Sequence, residues 1–400
     1  MDIPQGYKQT ELGIIPEDWE IVNLGSVAKI NGRIGFRGYT TADLVGVGQG
    51  AYTIGGKHIT NMVLDLHDAE YISWQKYYES PEIMVRKGDI VFAQRGTLGK
   101  SAFIVNDIGP ATINPSLVLI NKIKCDNEYL SYWLQCDKIV EYICSINSQT
   151  SIPMITQNQI EHIPVVLSRI KAEQQAIAEA LGDIDGLIAT LDKKIAKKRL
   201  IKQGAMSQLL TGKKRLPGFS DPWMERKLGA ISHIKTGSCN GDQAVDNGKY
   251  PFFVRSQKVY AIDSYSYDGE AILVPGEGGI GSIFHYINGK FDYHQRVYKI
   301  SDFADNVCGK YIFFYMSRYF GEYALSLTVK ATVDSLRLPT FEEFVICMPL
   351  NIEEQQAIAT ILNDMDKEID DLEAQRDKYR LLKSGMMQKL LTGQIRLKIK

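Results

Sequence analysis

The sequence has no marked excess of charge of either sign. Of its 400 residues, 46 are Lys or Arg and 47 are Asp or Glu, which gives a net charge of −1. A strongly basic chain would favour a nucleic-acid partner, so this balance by itself gives no such indication. Charged residues make up 23% and hydrophobic residues 44%, a composition that excludes a disordered tail. A chain of this length is expected to form two or more domains.

Paired cysteines and long apolar runs are also missing. The six cysteines show neither a C-x-x-C spacing nor a zinc-type Cys/His cluster, so we expect reduced thiols and no bound metal. No apolar run approaches the roughly 18 residues of a membrane span. The first residues carry no signal-peptide pattern. Together these absences predict a soluble, cytoplasmic protein.

Three short motifs resemble catalytic signatures without completing them. Residues 276–281 have the G-x-G-x-x-G spacing of dinucleotide sites, but β-rich sequence follows them, which favours a hairpin turn. Residues 96–101, GTLGKS, lack the first glycine of a P-loop because Gln94 stands in its place. Residues 114–117, NPSL, lack the aromatic residue with which N-P-P-Y/F methyltransferase loops stack on a flipped adenine. The histidines are scattered, so we do not expect an enzyme.

The sequence contains one clear internal repeat. Residues 173–216 and 354–397 align without gaps, and 23 of the 44 positions are identical. Each copy opens with EQQAIA and includes LLTG near its end. The pattern W-x-x-x-x-L-G also occurs twice, at residues 19–25 and 223–229. The chain is therefore organised as a variable block, a repeated block, a second variable block and a second repeated block.

Each repeated block has the apolar spacing of a long helix. Steps of four and three residues give the a/d seam of a heptad, and roughly 40 residues would form a rod of about 60 Å. Gly212 and Gly393 are predicted C-caps. Later in the first copy the apolar face shifts to Leu200, Ile201, Leu209 and Leu210. The residues predicted to pair the helices are Ile177, Leu181, Ile184, Ile188, Leu191, Ile195, Ile358, Leu362, Met365, Ile369 and Leu372.

Each repeated helix is acidic in its first half and basic in its second half. An antiparallel pair would set the acidic half of each helix against the basic half of the other, whereas a parallel pair would place like charges together. We therefore predict an antiparallel coiled coil, with the two variable domains at opposite ends and related by a pseudo-two-fold axis. The alternative is two unrelated amphipathic helices, each packed on its own domain.

The variable blocks are expected to be mixed α/β. Helices are predicted at residues 127–146 and 308–325, and β-rich runs bounded by turn residues predict strands at 88–93, 101–106, 116–121, 270–275, 281–287 and 296–300. The predicted fold class is α+β, with two mixed α/β domains separated by two long antiparallel coiled-coil helices. The predicted boundaries are 1–165, 166–216, 217–350 and 351–400.

Four features recur in a fixed order along the chain. W-x-x-x-x-L-G lies near the start of each variable block, apolar-proline segments end the blocks at residues 163–165 and 348–350, and EQQAIA and LLTG begin and end each helix. Together they closely resemble the specificity (S) subunits of type I restriction–modification enzymes. The resemblance spans essentially the whole chain, and it is strong in the helical repeats and weak within the variable blocks.

The resemblance implies a non-catalytic DNA-recognition subunit. Such subunits have two target-recognition domains, each reading one half of a bipartite, asymmetric site on double-stranded DNA. Two domains that bind the same face of the DNA one helical turn apart would be separated by ~34 Å. Their paired helices set the spacer and dock two methyltransferase (modification) subunits, which bind S-adenosylmethionine and methylate adenine. Restriction/translocase subunits use ATP and Mg. No cofactor is expected on this chain itself, and no membrane association.

Two other functions are left open by the sequence. The chain could be a coiled-coil structural adaptor without DNA recognition, or a specificity subunit of a related restriction-like defence system. A methyltransferase or a fused nuclease is disfavoured, because the cofactor motif and the complete N-P-P-aromatic loop are missing.

DNA readout requires polar and basic side chains on exposed turns, with Arg, Lys, Gln or Asn at base edges and Ser, Thr or Lys at phosphates. Lys57 and Arg255 are expected at roughly matching places in the two domains. The candidates are Arg33, Arg37, Lys57, Gln94, Arg95, Thr97 and Lys100 in the first domain, and Lys235, Arg255, Gln257, Lys258, Gln295 and Arg296 in the second.

The net charge is unevenly distributed along the chain. It is −5 for residues 1–165, +6 for 166–218, −2 for 219–345 and zero for 346–400. Because non-specific affinity follows from the number of neutralised phosphates, the chain alone is expected to bind DNA modestly. Much of the grip on the DNA backbone would then come from partner subunits.

Overall fold

The chain forms two compact units, each of which contains part of both repeated helices. The computed structural model describes residues 3–60, 62–146, 153–327 and 335–398. The first unit comprises Met1–Thr190 together with Gln375–Lys400, and the second comprises Leu191–Ala374. The two long helices are α6, Lys171–Leu209, and α10, Ile352–Leu390, so each helix divides between the two units.

The first unit is mixed α/β. Its short α-helices in the described part of the chain are α1 Leu24–Val27, α2 Trp74–Tyr78, α3 Asn127–Trp133, α4 Asp137–Ser145 and α5 Gln157–Glu161. Its strands there are β1 Tyr7–Thr10, β2 Gly13–Pro16, β3 Trp19–Asn23, β4 Lys29–Gly32, β5 Leu44–Val45, β6 Gly50–Ile54, β7 Ile59–Thr60, β8 Val63–Leu64, β9 Glu70–Ser73, β10 Ile90–Ala93, β11 Ser101–Phe103, β12 Ala111–Ile113, β13 Leu117–Asn121 and β14 Pro164–Ser168.

Two four-stranded sheets support the loops of the first unit. One has the order β11-β10-β13-β4 and the other has the order β12-β6-β9-β5. All four residues of β10, IVFA, are buried, as expected for a strand covered on both faces. β14 pairs antiparallel with β3, with Ser168 opposite Trp19. The apolar-proline segment therefore leads from the domain directly into α6.

The helix predicted at residues 127–146 is broken in the structure. Asp126 caps α3 by accepting a hydrogen bond from the Tyr129 amide at 2.8 Å. The chain then leaves the helical conformation at Cys136, the N-cap of the next helix, which has an extended backbone with φ −70° and ψ 145°. Asp137 begins α4, where a carboxylate in the first turn suits the helix dipole. The continuous apolar pattern concealed this new helix start.

The second unit follows the same plan with a larger sheet. Besides its parts of α6 and α10, its α-helices within the described residues are α7 Leu228–Ile231, α8 Gly309–Leu327 and α9 Leu338–Glu342. A six-stranded sheet has the order β16-β21-β19-β20-β17-β18, and β15 pairs with β22. The strands are β15 Trp223–Lys227, β16 His233–Thr236, β17 Tyr250–Phe253, β18 Tyr260–Ile262, β19 Tyr267–Pro275, β20 His285–Tyr293, β21 Val297–Ser301 and β22 Val345–Pro349.

Most of the predicted elements are present, with shifted ends. The helix predicted at 308–325 is α8, and the two repeated helices are α6 and α10. The strand predicted at 281–287 begins only at His285, because the glycines at 278, 279 and 281 have positive φ angles and form a turn. No helix in the described part of the chain has the length and apolar character that crossing a bilayer requires.

Candidate nucleic-acid interface

The start of each long helix is held by a buried carboxylate. In the first unit, the Glu173 side chain is 1% exposed and accepts hydrogen bonds from Arg396 Nη2 at 2.9 Å and from the Trp19 indole at 3.2 Å. Asp18 also pairs with Arg396 at 3.0 Å. The hydrogen bonds and charges of these carboxylates raise the pKa of Arg396.

The second unit repeats this arrangement with its own residues. Glu354, at the matching repeat position, is fully buried and accepts from Arg215 Nε and Nη2, both at 2.7 Å. The Arg215 guanidinium lies 5.8 Å from the Trp223 ring centroid, and Arg396 lies 5.7 Å from that of Trp19. The repeated Glu, Arg and Trp therefore form one helix joint, built twice.

Glycine ends the helical segment at each joint. Gly212 and Gly393 both have a φ of +68°, the left-handed conformation of a glycine C-cap. A Cβ at Gly212 would lie 3.2 Å from the Trp223 ring, and one at Gly393 would lie 2.6 Å from Pro16. These angles confirm the predicted C-caps and show that glycine is also needed for close packing.

Ion pairs within each unit confirm the antiparallel pairing. In the second unit, Lys198 pairs with Glu368 at 2.6 Å and Lys202 pairs with Asp366, so α10 runs backward as α6 advances. In the first unit, Lys383 pairs with Asp185 at 2.7 Å. Lys202 and Lys383 are equivalent in the repeat, as are Asp366 and Asp185, so one ion pair occurs in both units with the helices exchanged.

The predicted seam divides into three parts. Its middle forms a small apolar cluster in the second unit, made by Leu191, Ile195, Ile369 and Leu372. Its ends join the cores of the domains: Ile177 and Leu181 lie in the first core, and Ile358 and Leu362 lie in the second, where the half-buried Met365 packs beside them. Ile184 is 7% exposed, and Ile188 is half-buried.

Each unit also carries one exposed apolar pair on its long helix. Leu200 and Ile201 are 68% and 47% exposed in the second unit, and their repeat equivalents Leu381 and Leu382 are 76% and 50% exposed in the first. A cavity of about 520 Å³ in the first unit reaches Arg380 and Ser384, beside Leu381. A cavity of about 330 Å³ in the second unit is lined at matching repeat positions by Arg199, Lys202, Gln203 and Met206.

This exposure corrects part of the predicted apolar face. Leu209 and Leu210 are 6% and 0% exposed and belong to the core of the second unit. Leu200 and Ile201 point away from it. The sequence pattern treats the four residues as one face, whereas the structure divides them between the core and the surface.

Loop ends in the first unit bring several of the predicted DNA-binding residues together. Gln94 donates to the Pro115 carbonyl at 3.0 Å, and Lys100 donates to the Gly56 carbonyl at 3.2 Å. Arg95 and Thr97 are exposed. Lys57, next to Gly56, pairs with Asp68 at 3.3 Å. The loops after β6, β10 and β12 therefore meet at one place.

Arg33 and Arg37 differ from the others in the first unit. Arg33 is 8% exposed and donates to the Ile113 carbonyl at 3.1 Å, the Thr112 hydroxyl at 3.0 Å and the Arg37 carbonyl at 3.3 Å. Burial lowers the pKa of this guanidinium. Arg37 lies 3.6 Å from Glu82. Arg33 therefore holds the loop that carries Arg37, and its buried guanidinium is not part of the exposed loop surface.

In the second unit, two of the predicted DNA-binding residues, Arg255 and Arg296, flank a carboxylate that is not among the predicted residues. Glu277 lies 3.4 Å from Arg255 and also pairs with Arg296. Gln295, next to Arg296, donates to Asn240 at 2.7 Å. The exposed Gln257 and Lys258 share the loop of Arg255, and Lys258 lies 4.8 Å from the Tyr260 ring centroid. Lys235 lies elsewhere, opposite Lys299 on β21.

The only indication in the sequence that Glu277 belongs to such a site is that its loop, GEGGIG at residues 276–281, resembles the loop QRGTLG at residues 94–99. A carboxylate is not an expected DNA ligand on composition alone, because phosphates repel it. Across the described residues, no group of three or more His, Cys, Asp or Glu side chains has the geometry of a metal site. The arrangement suits recognition by hydrogen bonds and charge.

Comparison with known proteins identifies the family. The family model of the type I restriction modification DNA specificity domain matches residues 16–198 and 220–379, and the chain belongs to this family. The putative type I restriction enzyme MjaX specificity subunit of Methanocaldococcus jannaschii is 25% identical over 440 residues, which cover 98% of this chain and 97% of the relative. The MjaVIII specificity subunit of the same organism is 25% identical over 428 residues, with the same two coverages.

Solved structures show the same fold. The S subunit of a type I restriction–modification system from M. genitalium has a TM-score of 0.67 at 14% identity, covering 98% of both chains. A chain from a study of complex assembly and conformational transition in the type I system has a TM-score of 0.57 at 16% identity, covering 95% of this chain and 99% of that one. Type I specificity subunits are non-catalytic DNA-recognition subunits that assemble with other restriction–modification subunits.

Proposed function

We propose that the chain reads a bipartite, asymmetric site on double-stranded DNA, one half with each domain. The proposed target-recognition domains are residues 1–165 and 217–350, and the proposed spacer helices are 166–216 and 351–400. The observation that carries this proposal is the repeated helix joint, Glu173 with Arg396 and Glu354 with Arg215. The two units share this helix joint, but their loop clusters differ in composition, as two domains that read different half-sites require.

The loop clusters supply the side chains that such reading needs. Arginine can bind guanine through two hydrogen bonds, glutamine can bind adenine in the same way, and lysine or threonine can bind phosphates. The proposed DNA surface comprises Arg37, Lys57, Gln94, Arg95, Thr97 and Lys100 in the first domain, and Arg255, Gln257, Lys258, Gln295 and Arg296 in the second. Lys235 is a further candidate for a phosphate contact.

We also propose that the chain docks two methyltransferase subunits, one on the long-helix surface of each unit. The exposed pairs Leu200–Ile201 and Leu381–Leu382 occupy the same repeat positions and lie beside the two cavities. Gly204 and Gly385 lie one turn further along, and a Cβ on either would meet nothing within 4 Å. A helix-interior glycine costs about 1 kcal/mol relative to alanine, so an external helix that approaches closely would explain its presence in both copies.

The partners would supply the chemistry. In this proposal S-adenosylmethionine binds the methyltransferase subunits, which methylate adenine, and restriction/translocase subunits bind ATP and Mg for translocation and cleavage. The chain itself would contribute sequence choice and the spacing between the half-sites.

A domain exchange tests the proposed function. Residues 1–165 are replaced by the corresponding domain of a related subunit, the chain is co-expressed with its methyltransferase subunits, and methylated adenines are mapped across the genome. We expect one half of the methylated sequence to change while the other half and the spacer persist. An unchanged sequence, or methylation by the purified chain alone, would contradict the proposal.

A further inference from the structure

The loop after β10 in the first unit and the loop after β19 in the second unit have the same backbone hydrogen bonds. The Gln94 amide donates to the Ser116 carbonyl at 3.0 Å, and the Gly276 amide donates to the Arg296 carbonyl at 2.8 Å. Gln94 and Gly276 therefore occupy equivalent positions at the ends of equivalent strands. The next residue along each chain segment is Arg95 in one unit and Glu277 in the other.

Further contacts fix the same register. The Gln94 carbonyl accepts from the Ile155 amide at 3.0 Å, and the Gly276 carbonyl accepts from the Leu336 amide at 2.8 Å. Arg95 forms an isolated antiparallel bridge with Met154, and Glu277 forms one with Ser335. In each case the bridge partner directly precedes the residue that donates its amide.

The neighbouring strands agree as well. The Asn114 amide, just after β12, donates to the Ile54 carbonyl at 2.8 Å. The His294 amide, just after β20, donates to the Phe253 carbonyl at 2.9 Å. This register makes Gly56 the counterpart of Arg255, so Lys57 is one residue away from the matching place that the sequence suggests. Ser116 is the counterpart of Arg296. The two arginines around Glu277 therefore have no arginine counterparts around Arg95.

The charges at the two equivalent positions are opposite, but their surroundings offset the difference. Arg95 is exposed and forms no ion pair among the described residues. The Glu277 side chain is 22% exposed and lies between Arg255 and Arg296, which are 52% and 56% exposed. Burial, and then the charges of Arg255 and Arg296, lower the pKa of the neighbouring His294, while Glu277 raises it. Arg95 by itself carries a charge of +1, and the charges of Glu277, Arg255 and Arg296 also sum to +1.

Base chemistry gives the two residues complementary preferences. An arginine donates two hydrogen bonds to O6 and N7 of guanine, and a carboxylate accepts a hydrogen bond from the N4 amino group of cytosine. A lone carboxylate would be repelled by DNA phosphates, but two adjacent guanidinium groups can contact those phosphates and hold the carboxylate in place.

We propose that positions 95 and 277 are equivalent base-reading positions, with Arg95 selecting guanine in one half-site and Glu277, held by Arg255 and Arg296, selecting cytosine in the other. This inference rests on the proposed DNA-reading function. It assigns to Glu277 a direct role in specificity, and it makes Arg255 and Arg296 positioning residues that also bind phosphate.

The test compares methylated sequences made by complexes that contain the wild-type chain, Glu277→Gln or Arg95→Gln. Each variant should change the preferred base at one position of one half-site and reduce methylation of the original sequence by roughly 10-fold to 100-fold. The variants should affect different half-sites. Glu322→Gln makes the same chemical change on an exposed side chain of α8 and should leave the sequence unaltered.

Distinct outcomes separate the inference from the proposed function. If the wild-type complex methylates no bipartite sequence, the proposed function fails. If it does, but Glu277→Gln keeps the same base preference and binds DNA equally or more tightly, Glu277 only restrains the arginines and the inference is overturned. Normal unfolding of each variant in urea, with unchanged co-purification of the methyltransferase subunits, ensures that altered methylation reports base reading.

Discussion

Arg215 donates two parallel hydrogen bonds to the fully buried carboxylate of Glu354, each at 2.7 Å. The equivalent pair in the first unit is Arg396 with Glu173. Because charge-assisted pairs of this geometry are stronger than neutral hydrogen bonds, each joint fixes the start of a long helix against the segment that follows the end of the other. The joint is internal to its unit, so it can be tested without DNA or a partner.

Glu354→Gln should destabilise the second unit by about 2 kcal/mol. The amide removes the charge that offsets the Arg215 guanidinium, and the loss is smaller than for a fully buried pair because the Arg215 side chain is 28% exposed. Urea unfolding measures the change. The neighbouring Glu353→Gln, at an exposed position, is the matched control and should shift the midpoint little. Equal losses of unfolding free energy in both variants would show that the buried ion pair does not stabilise the unit more than an exposed glutamate does.

Reversing one interhelical charge should weaken the helix pairing in a salt-dependent way. Lys198→Glu places a carboxylate against Glu368, and we expect a loss of about 0.5–1 kcal/mol at low salt that shrinks as salt is added. The double variant Lys198→Glu with Glu368→Lys should recover most of it. Lys197→Glu is the control variant, because Lys197 forms no ion pair among the described residues that the substitution could reverse. Thermal unfolding at two salt concentrations distinguishes these results, and a loss that salt leaves unchanged would point to packing instead.

Three glycine-to-alanine substitutions should give different results. Gly393→Ala should cost about 2 kcal/mol, because the left-handed backbone and the contact with Pro16 both oppose a Cβ. Gly212→Ala should cost less, about 1 kcal/mol, because the Trp223 ring is further away. Gly204→Ala, in an open helix surface, should stabilise the chain by roughly 0.5–1 kcal/mol. Thermal unfolding of the isolated chain ranks the three variants by stability. Destabilisation by Gly204→Ala would contradict the finding that a Cβ at this position meets nothing within the chain.

Replacing the exposed apolar pair of one unit should weaken assembly without weakening the fold. Leu381→Gln with Leu382→Gln removes apolar surface that no core uses, so unfolding should change by less than about 0.5 kcal/mol. Co-purification with the methyltransferase subunits should drop from two per chain toward one. The pair Leu200→Gln with Ile201→Gln should have the same effect in the second unit. Retention of two subunits in both variants would rule out this docking surface.

The stability of the second unit should fall in mild acid. Burial lowers the pKa of His285 below its usual 6.5, so between the folded value and 6.5 the unfolded chain binds more protons than the folded chain. The contribution of neutral His285 to stability is therefore full above about pH 6.5 and declines as the pH falls below it. His285→Gln should reduce this decline in urea midpoints measured from pH 7.5 to 5.5, and an unchanged decline in the variant would contradict the role given to His285.

Local patterns predicted the long helices well. The four- and three-residue steps, the glycine ends and the charge gradient each act over a few turns of one helix, so α6, α10 and their antiparallel pairing followed from them. The division of the seam did not follow. Ile177 and Ile358 have the same heptad spacing as Ile195, but only tertiary packing decides that the first two enter domain cores.

The candidate DNA-binding residues could be predicted only in part. Residue type and turn context selected Arg95, Arg255 and Arg296, which do lie on exposed loops. The same reasoning selected Arg33, because a sequence does not reveal that Ile113 and Thr112 provide buried acceptors for its guanidinium. It passed over Glu277, because a carboxylate becomes a plausible DNA contact only when two arginines are seen beside it.

The joint between Asp18 and Arg396 also affects how the protein is made. These residues are 378 positions apart, and Met387, Leu390 and Leu391 belong to the core of the first unit. At typical synthesis rates of about 5–20 residues per second, the ribosome needs roughly 20–75 s to travel from one partner to the other. While the second unit is translated, the core of the first unit therefore lacks Met387, Leu390 and Leu391, and Trp19 lacks its contact with Arg396. Chaperone demand during translation should consequently centre on the first unit, although it emerges first.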